Sequence, residues 1–431
     1  MPPLDSRSRA AELLPLVPAA AIPLLFLHRR YQAHTSFGPI DVFGSDIAVA
    51  ATVAAALLAG AWWGFAPLRR ARTLWAVAGA LLALYGASCF WTPLDHTTKH
   101  LITAAKIGEY ALLAPAVVLL LRRRVDVDRF LLVFVGWSVA ASAWGLLQFL
   151  GLVNEFSGKR PGQREVSFLG IHDFAAFSAA ALAIGLAGIA LGERRRIVAV
   201  AAVAGAAGSI LAASAFAFGG IVLAVILAAE VGRRAGTLTL RRGLALAGIT
   251  LVVGGGVFEL RAGDVTNFFS FLGHAKPTTA QSQDIQTGAH RVVLAYIGLR
   301  IWEDHPLLGV GFERSTTHYG PYVAAAKRKY PHEAPSSFPS PQHPWGVQNL
   351  WVQTLADEGI VGLALLVATF VAGLTLALRA LRRTRLLALI AAGWILVAAG
   401  TWNANGILAG IPLDALTWLG FGLAAAVGGL E

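Results

Sequence analysis

Apolar stretches of about 20 residues recur along this chain, and a single long polar interval interrupts them. The stretches fall near 11–27, 47–67, 73–92, 101–121, 130–150, 172–191, 197–214, 215–231, 243–260, 359–378, 386–402 and 406–428. Each approaches the ~20 residues that an α-helix needs to cross a hydrocarbon core. The balance of residues agrees: 56% of the 431 residues are hydrophobic and 14% charged, with a mean hydropathy of +0.63. The expected fold is all-α, a polytopic membrane protein of about twelve transmembrane helices with one large outer loop containing short helices. Residues 1–260 carry spans one to nine, 261–349 the loop, and 350–431 the last three spans. The split of 197–231 into two spans rests on length and on Gly219–Gly220. A polar head with Arg7 and Arg9 precedes the first span, and Pro15 and Pro18 interrupt it. It reads as retained, because no small-residue cleavage pattern follows.

A formal net charge of +11 raises nucleic acid as a partner. The cations instead sit in short clusters between spans, where they orient helices and face anionic lipid, so no nucleic-acid partner is expected. With the N-terminus cytoplasmic, the inner loops hold Arg69, Arg70 and Arg72; Arg122 to Arg124 with Arg129; and Arg194 to Arg196. Arg233, Arg234, Arg241 and Arg242 follow, then Arg379, Arg382, Arg383 and Arg385. An even number of spans leaves both termini inside. In this topology all eleven histidines fall at or beyond the outer end of a span, so the polar chemistry is expected on the outer face.

Two outer segments carry cations against that rule. The loop at 152–171 holds Lys159, Arg160 and Arg164, which fit either an anionic ligand or ordinary surface charge. The long interval holds Arg261, Lys276, Arg291, Arg300, Arg314, Lys327, Arg328 and Lys329, together with six of the histidines. Apolar residues recur at helical spacing over 288–304, and Pro306 ends the pattern. Residues 321–345 contain six prolines and read as an irregular loop. An interval of this length is expected to cap a reaction site.

Within the spans, Lys106 and Glu109 lie three residues apart and share a helix face. They read either as a self-satisfied pair or, for Lys106, as the wall of an anion site. Asp126-Val127-Asp128 sits beside Arg124 and Arg129, a poor setting for a metal-binding pair of carboxylates. Cys89 is the single cysteine, which excludes an internal disulfide and a cysteine-rich metal site.

Three motifs in chain order resemble the O-antigen ligase and O-antigen polymerase family of membrane glycosyltransferases. The first is Arg164-Glu-Val-Ser-Phe168 followed by Gly170-Ile-His-Asp-Phe-Ala-Ala176. The second is Arg291 with Trp302, Pro306, Leu307, Gly309 and Gly311 behind it. The third is Gln348-Asn349 followed, after nine residues, by Gly359-Ile-Val-Gly362. The ligase pattern has histidine where this chain has Gln348, and glutamine cannot take a proton as imidazole does. Either His343 takes that place or the chain manages without it, as would fit a polymerase better than a strict ligase.

The resemblance implies an inverting, metal-independent enzyme of the bacterial cytoplasmic membrane, without a cofactor and with its active site on the periplasmic side. Its donor would be a glycan on a polyprenyl pyrophosphate, and its acceptor a saccharide or glycolipid hydroxyl. A leaving diphosphate is best stabilised by fixed cations, and a guanidinium grips phosphate oxygens in pairs. Arg164 and Arg291 are therefore expected as pyrophosphate clamps, with Lys106 and Arg160 as lesser candidates. His343 is the first choice of base, with His290 and His172 in reserve; these last two and Asn349 are also expected near the substrate. A transporter or flippase of the same lipid-linked anion is the rival reading.

Overall fold

The computed structural model describes residues 12–91, 97–158, 161–272, 287–333, 335–341 and 345–430. It is an all-α membrane protein. In chain order the first elements are α1 (Val17–Leu25), α2 (Gly44–Trp63), α3 (Arg72–Ser88), α4 (Thr97–Ala111), α5 (Leu113–Leu120) and α6 (Arg124–Phe149). Next come α7 (Ile171–Leu191), α8 (Arg196–Ala212), α9 (Ala215–Arg234) and α10 (Leu240–Leu260). The polar interval contributes α11 (Ala262–Leu272), α12 (Thr287–Asp304), α13 (Ser315–His318) and α14 (Gly320–Lys329). The chain closes with α15 (Leu350–Ala380), α16 (Arg385–Thr401) and α17 (Pro412–Val427). Each of the twelve apolar stretches contains a helix. Eight helices among the described residues are long and apolar enough to cross a membrane: α2, α4 running on into α5, α6, α7, α9, α10, α15 and α16.

Helix α7 lies at the centre, buried along almost its whole length. Small residues let its neighbours approach it closely. A side chain on Gly205 of α8 would strike the backbone of Leu182, and one on Gly185 would strike the backbone of Ala202. From α16, the Trp394 indole N–H donates to the Ala180 carbonyl at 3.0 Å, while Phe26, Phe134 and Phe177 stack on one another.

The 197–231 segment breaks in two at the expected boundary, Ala213–Ser214, where Ser214 caps α9 by accepting the Ala217 N–H at 3.3 Å. Three details differ from the sequence-based expectation, the first being that the Gly219–Gly220 pair does not mark this break. Gly220 instead makes room for the backbone of α16 at Leu396 and Val397. Residues 320–329 of the expected irregular loop are helical: Pro321 occupies the first turn and Lys327, Arg328 and Lys329 the last, which matches the helix dipole. Among the described residues the one departure from an all-helical pattern is a hairpin, β1 (His34–Phe37) and β2 (Ile40–Phe43), in antiparallel register around Gly38.

The second and third motifs interlock. Helix α15 is interrupted at Gly359, with φ 65° and ψ −164°, and the Pro306–Gly311 strand fills the break. Ile360 N–H donates to the Pro306 carbonyl at 2.9 Å, and Val361 N–H to Leu307 at 3.3 Å. In the other direction, Val310 N–H donates to Ala356 at 3.1 Å and Gly311 N–H to Asp357 at 2.7 Å. The loop thus supplies partners for backbone groups that the break would orphan. The crossing leaves no room: a Cβ on Gly309 or on Gly359 would lie 2.3 Å from backbone carbon of Asp357 or Leu307, respectively.

Candidate functional site

Arg164 sits on an extended segment pinned to helix ends. Glu165 N–H donates to the Leu211 carbonyl at 2.8 Å, Ser167 Oγ to Ala141 at 2.7 Å, and Gln148 Nε2 to Ser167 at 3.1 Å. Arg261 follows the end of α10, and its Nη2 pairs with Asp264 at 2.8 Å. Arg291, on the first turns of α12, lies over the Phe216 ring at the start of α9. Its Nη2 donates to the Ala404 carbonyl at 3.3 Å and meets His172 Nε2 at 3.2 Å.

The three guanidiniums act on one another. Burial, then Arg261 and Arg164, push the Arg291 pKa down to about 10, with Asp264 opposing. Burial, then Arg261, lower that of Arg164, again against Asp264. Three positive groups share one carboxylate here. Such an excess of charge is relieved by an anion, and each fork suits paired oxygens. A guanidinium only donates hydrogen bonds, so His172 Nε2 must accept. Its proton is therefore on Nδ1, which has no hydrogen-bond partner among the described residues.

Three cavities meet at this contact. The first, ≈ 540 Å³, is lined by aromatic rings (Phe216, Phe218, Phe258) and by polar side chains (Arg261, Arg291, Gln348), among others. The second, ≈ 410 Å³, is lined by His28, Arg29, Ser157, Arg164, His172 and Asp173, among others. The third, ≈ 420 Å³, is lined by His172, Glu313, Thr316, Gln348, Gln353 and Asn405, among others. Gln348 is common to the first and third, and His172 to the second and third.

No family model matches this chain, and no curated protein is detectably similar to it.

The structure brings Arg164, Arg291, His172, Gln348 and Asn349 together around these cavities. Asn349 is also committed to the fold: its Oδ1 caps α15 by accepting the Val352 N–H at 3.0 Å. Lys106 is not brought there. Its Nζ pairs with Asp46 of α2 at 2.9 Å and donates to the Asp41 carbonyl at 3.1 Å, so its partner is neither Glu109 nor a cavity. His290 is buried against Trp345, with rings 5.2 Å apart, and lines none of the three cavities. His343 and Arg160 lie outside the described residues. Asp126 and Asp128 are held by Arg123 and Arg195, at 2.9 and 3.1 Å.

Sequence reasoning missed Arg261 as a member of the site, counting it only as a loop cation. It also missed Asp264, Glu313 and Phe216. Arg261 had one readable signal, as the first cation beyond the outer end of the ninth apolar stretch.

Proposed function

We propose that this protein is a membrane glycosyltransferase. It moves a glycan from a polyprenyl-pyrophosphate donor to an acceptor sugar hydroxyl at the outer face of the cytoplasmic membrane, in the manner of the O-antigen ligases and polymerases. The observation that carries the reading is the convergence of three guanidiniums: Arg261 and Arg291 line a cavity together with Phe216, Phe218 and Phe258, and Arg164 lines a second cavity and acts electrostatically on Arg291. An amphiphile with an anionic head matches that mixed lining. The acceptor oxygen attacks the anomeric carbon from the face opposite the lipid, and the configuration inverts. The bond to the diphosphate breaks, and the guanidiniums stabilise the charge that develops on the departing oxygens. Twelve spans with both termini cytoplasmic, and a 261–349 segment closing over the periplasmic side, complete the reading. The arginine clusters between helices support this orientation.

The break in α15 is a feature that transporters also use, with half-helix ends facing a cavity at mid-membrane. Here the Pro306–Gly311 backbone fills the break, which favours the enzyme. Purified full-length chain in detergent separates the two readings. An enzyme lengthens or newly attaches glycan with no compartment present, whereas a transporter gives no product. Near-normal transfer by both Arg164→Ala and Arg291→Ala, at equal protein level, would remove the clamp.

A further inference from the structure

Transfer to a hydroxyl needs a group that takes its proton, and the position where the resembling ligases carry histidine is Gln348. The cavity that Gln348 shares with His172 offers few alternatives. Threonine, asparagine and glutamine side chains hold no proton-accepting group of useful basicity. Gln353 is also fully engaged: its Oε1 accepts the Ile407 N–H at 2.7 Å, and its Nε2 donates to Asp357 at 3.1 Å. His172 turns its one accepting nitrogen to Arg291. Glu313 remains, and it lines the same cavity.

Two further features single out Glu313. It is one of three non-glycine residues among those described with positive φ, at 56°, a conformation that residues with a side chain rarely adopt. The turn holding it is fixed on both sides: Arg314 N–H donates to the Gly311 carbonyl at 3.0 Å, and Thr316 Oγ1 to the Glu313 carbonyl at 2.6 Å. Its Oε2 lies 3.3 Å from Nδ1 of His100, a buried residue on α4. Strain held in place by the surrounding fold, at a carboxylate residue that lines a cavity, is the pattern expected of a working side chain.

We infer that Glu313 is the general base of the reaction, positioned by His100. The inference rests on the glycosyltransferase reading above. As the acceptor O–H proton passes to a Glu313 oxygen, the hydroxyl oxygen bonds to the anomeric carbon. The anomeric carbon–oxygen bond to the diphosphate breaks, and its electron pair leaves with the diphosphate. The proton on Glu313 then passes to water. Two other carboxylates line these cavities: Asp264, in the first, is paired with Arg261 at 2.8 Å, and Asp173, in the second, accepts the Leu413 N–H at 2.9 Å.

The test uses the full chain in two assays. Envelope glycan made by cells carrying each variant is measured at equal protein level, and inorganic pyrophosphate is titrated into the purified protein. Glu313→Gln should lower glycan product by about 10²–10⁴-fold, the usual worth of a positioned base. It should leave pyrophosphate affinity within about twofold, because the arginines are untouched. Glu313→Asp keeps a carboxylate and should exceed Glu313→Gln at least about tenfold. Asp173→Asn should exceed Glu313→Gln by a similar factor. Product from Glu313→Gln near the wild-type level overturns the inference, as does equal product from Glu313→Gln and Glu313→Asp. Joint loss of transfer and pyrophosphate binding in Glu313→Gln also overturns it, because the residue would then hold the fold. Wild-type protein that fails to bind pyrophosphate defeats the underlying reading instead.

Discussion

The segment between α10 and α15 meets the helical bundle in two places built on opposite terms. At the arginine cluster there is room and unbalanced charge: three guanidiniums, one carboxylate and open cavities. At the Gly359 break there is neither, only main-chain hydrogen bonds and missing side chains. Of the carboxylates there, Asp357 accepts the Ser315 N–H at 2.7 Å and Glu358 Oε1 the Ser88 hydroxyl at 2.7 Å, while Glu358 Oε2 is buried with no hydrogen-bond partner among the described residues. The motifs therefore divide by role. Arg164 and Arg291 line cavities, whereas the stretch from Pro306 to Gly311 and the Gly359–Gly362 pair join two parts of the protein.

Substitutions should separate the two places, starting with the largest effect. Gly359→Ala forces a Cβ against the Leu307 backbone at positive φ. The cost should be on the order of 3 kcal/mol, seen as a lower thermal midpoint in detergent and less folded protein. A midpoint close to wild type would mean that the join is loose.

Arg291→Ala should behave in the opposite way. Transfer should fall about 10²–10³-fold, while the midpoint holds or rises because one of three like charges is gone. Arg291→Lys should lie between, since an ammonium keeps the charge without the fork. A large fall in midpoint would erase the contrast between the two places.

Asp264→Asn removes the one anion within the cluster. Pyrophosphate should bind about threefold to fivefold tighter, on the order of 1 kcal/mol. The free protein should lose about 0.5–1 kcal/mol along with its Arg261 ion pair. Weaker pyrophosphate binding would show that Asp264 orients Arg261 rather than neutralising it.

The smallest effect concerns His290, whose pKa burial and then Arg291 push down from 6.5 to about 4. Between those values the unfolded chain binds a proton that the folded chain does not. Its contribution to stability is thus complete above pH 6.5 and is lost as pH falls toward 4. His290→Gln should shrink the drop in midpoint between pH 7 and pH 5. An unchanged drop would place the acid sensitivity elsewhere.

Much of the helix pattern was legible because an apolar run is a local property. The hairpin at His34–Phe43 was not, since four-residue strands leave little periodicity, although Gly38-Pro39 marks its turn. Arg164 and Arg291 could be read from their motif surroundings. Arg261 joins them only once α10 ends beside α12, a matter of packing that no spacing records. Lys106 shows the reverse: its neighbour in sequence is Glu109, but the carboxylate it meets is Asp46, brought near by α2. Gly359 could be read as part of the third motif, while the segment that fills the break there lies some fifty residues earlier in the chain.

Leu307, Leu308, Ile360 and Val361, all flanking the crossing at Gly359, turn outward and are 67%, 47%, 44% and 40% exposed. Four greasy side chains around one junction form a collar suited to hydrocarbon rather than water. In such a setting no solvent molecule can replace a broken amide contact, and each one lost would cost several kcal/mol. The polar segment is consequently riveted to the bundle at a greasy seam, by main-chain contacts between Pro306–Gly311 and Ala356–Val361.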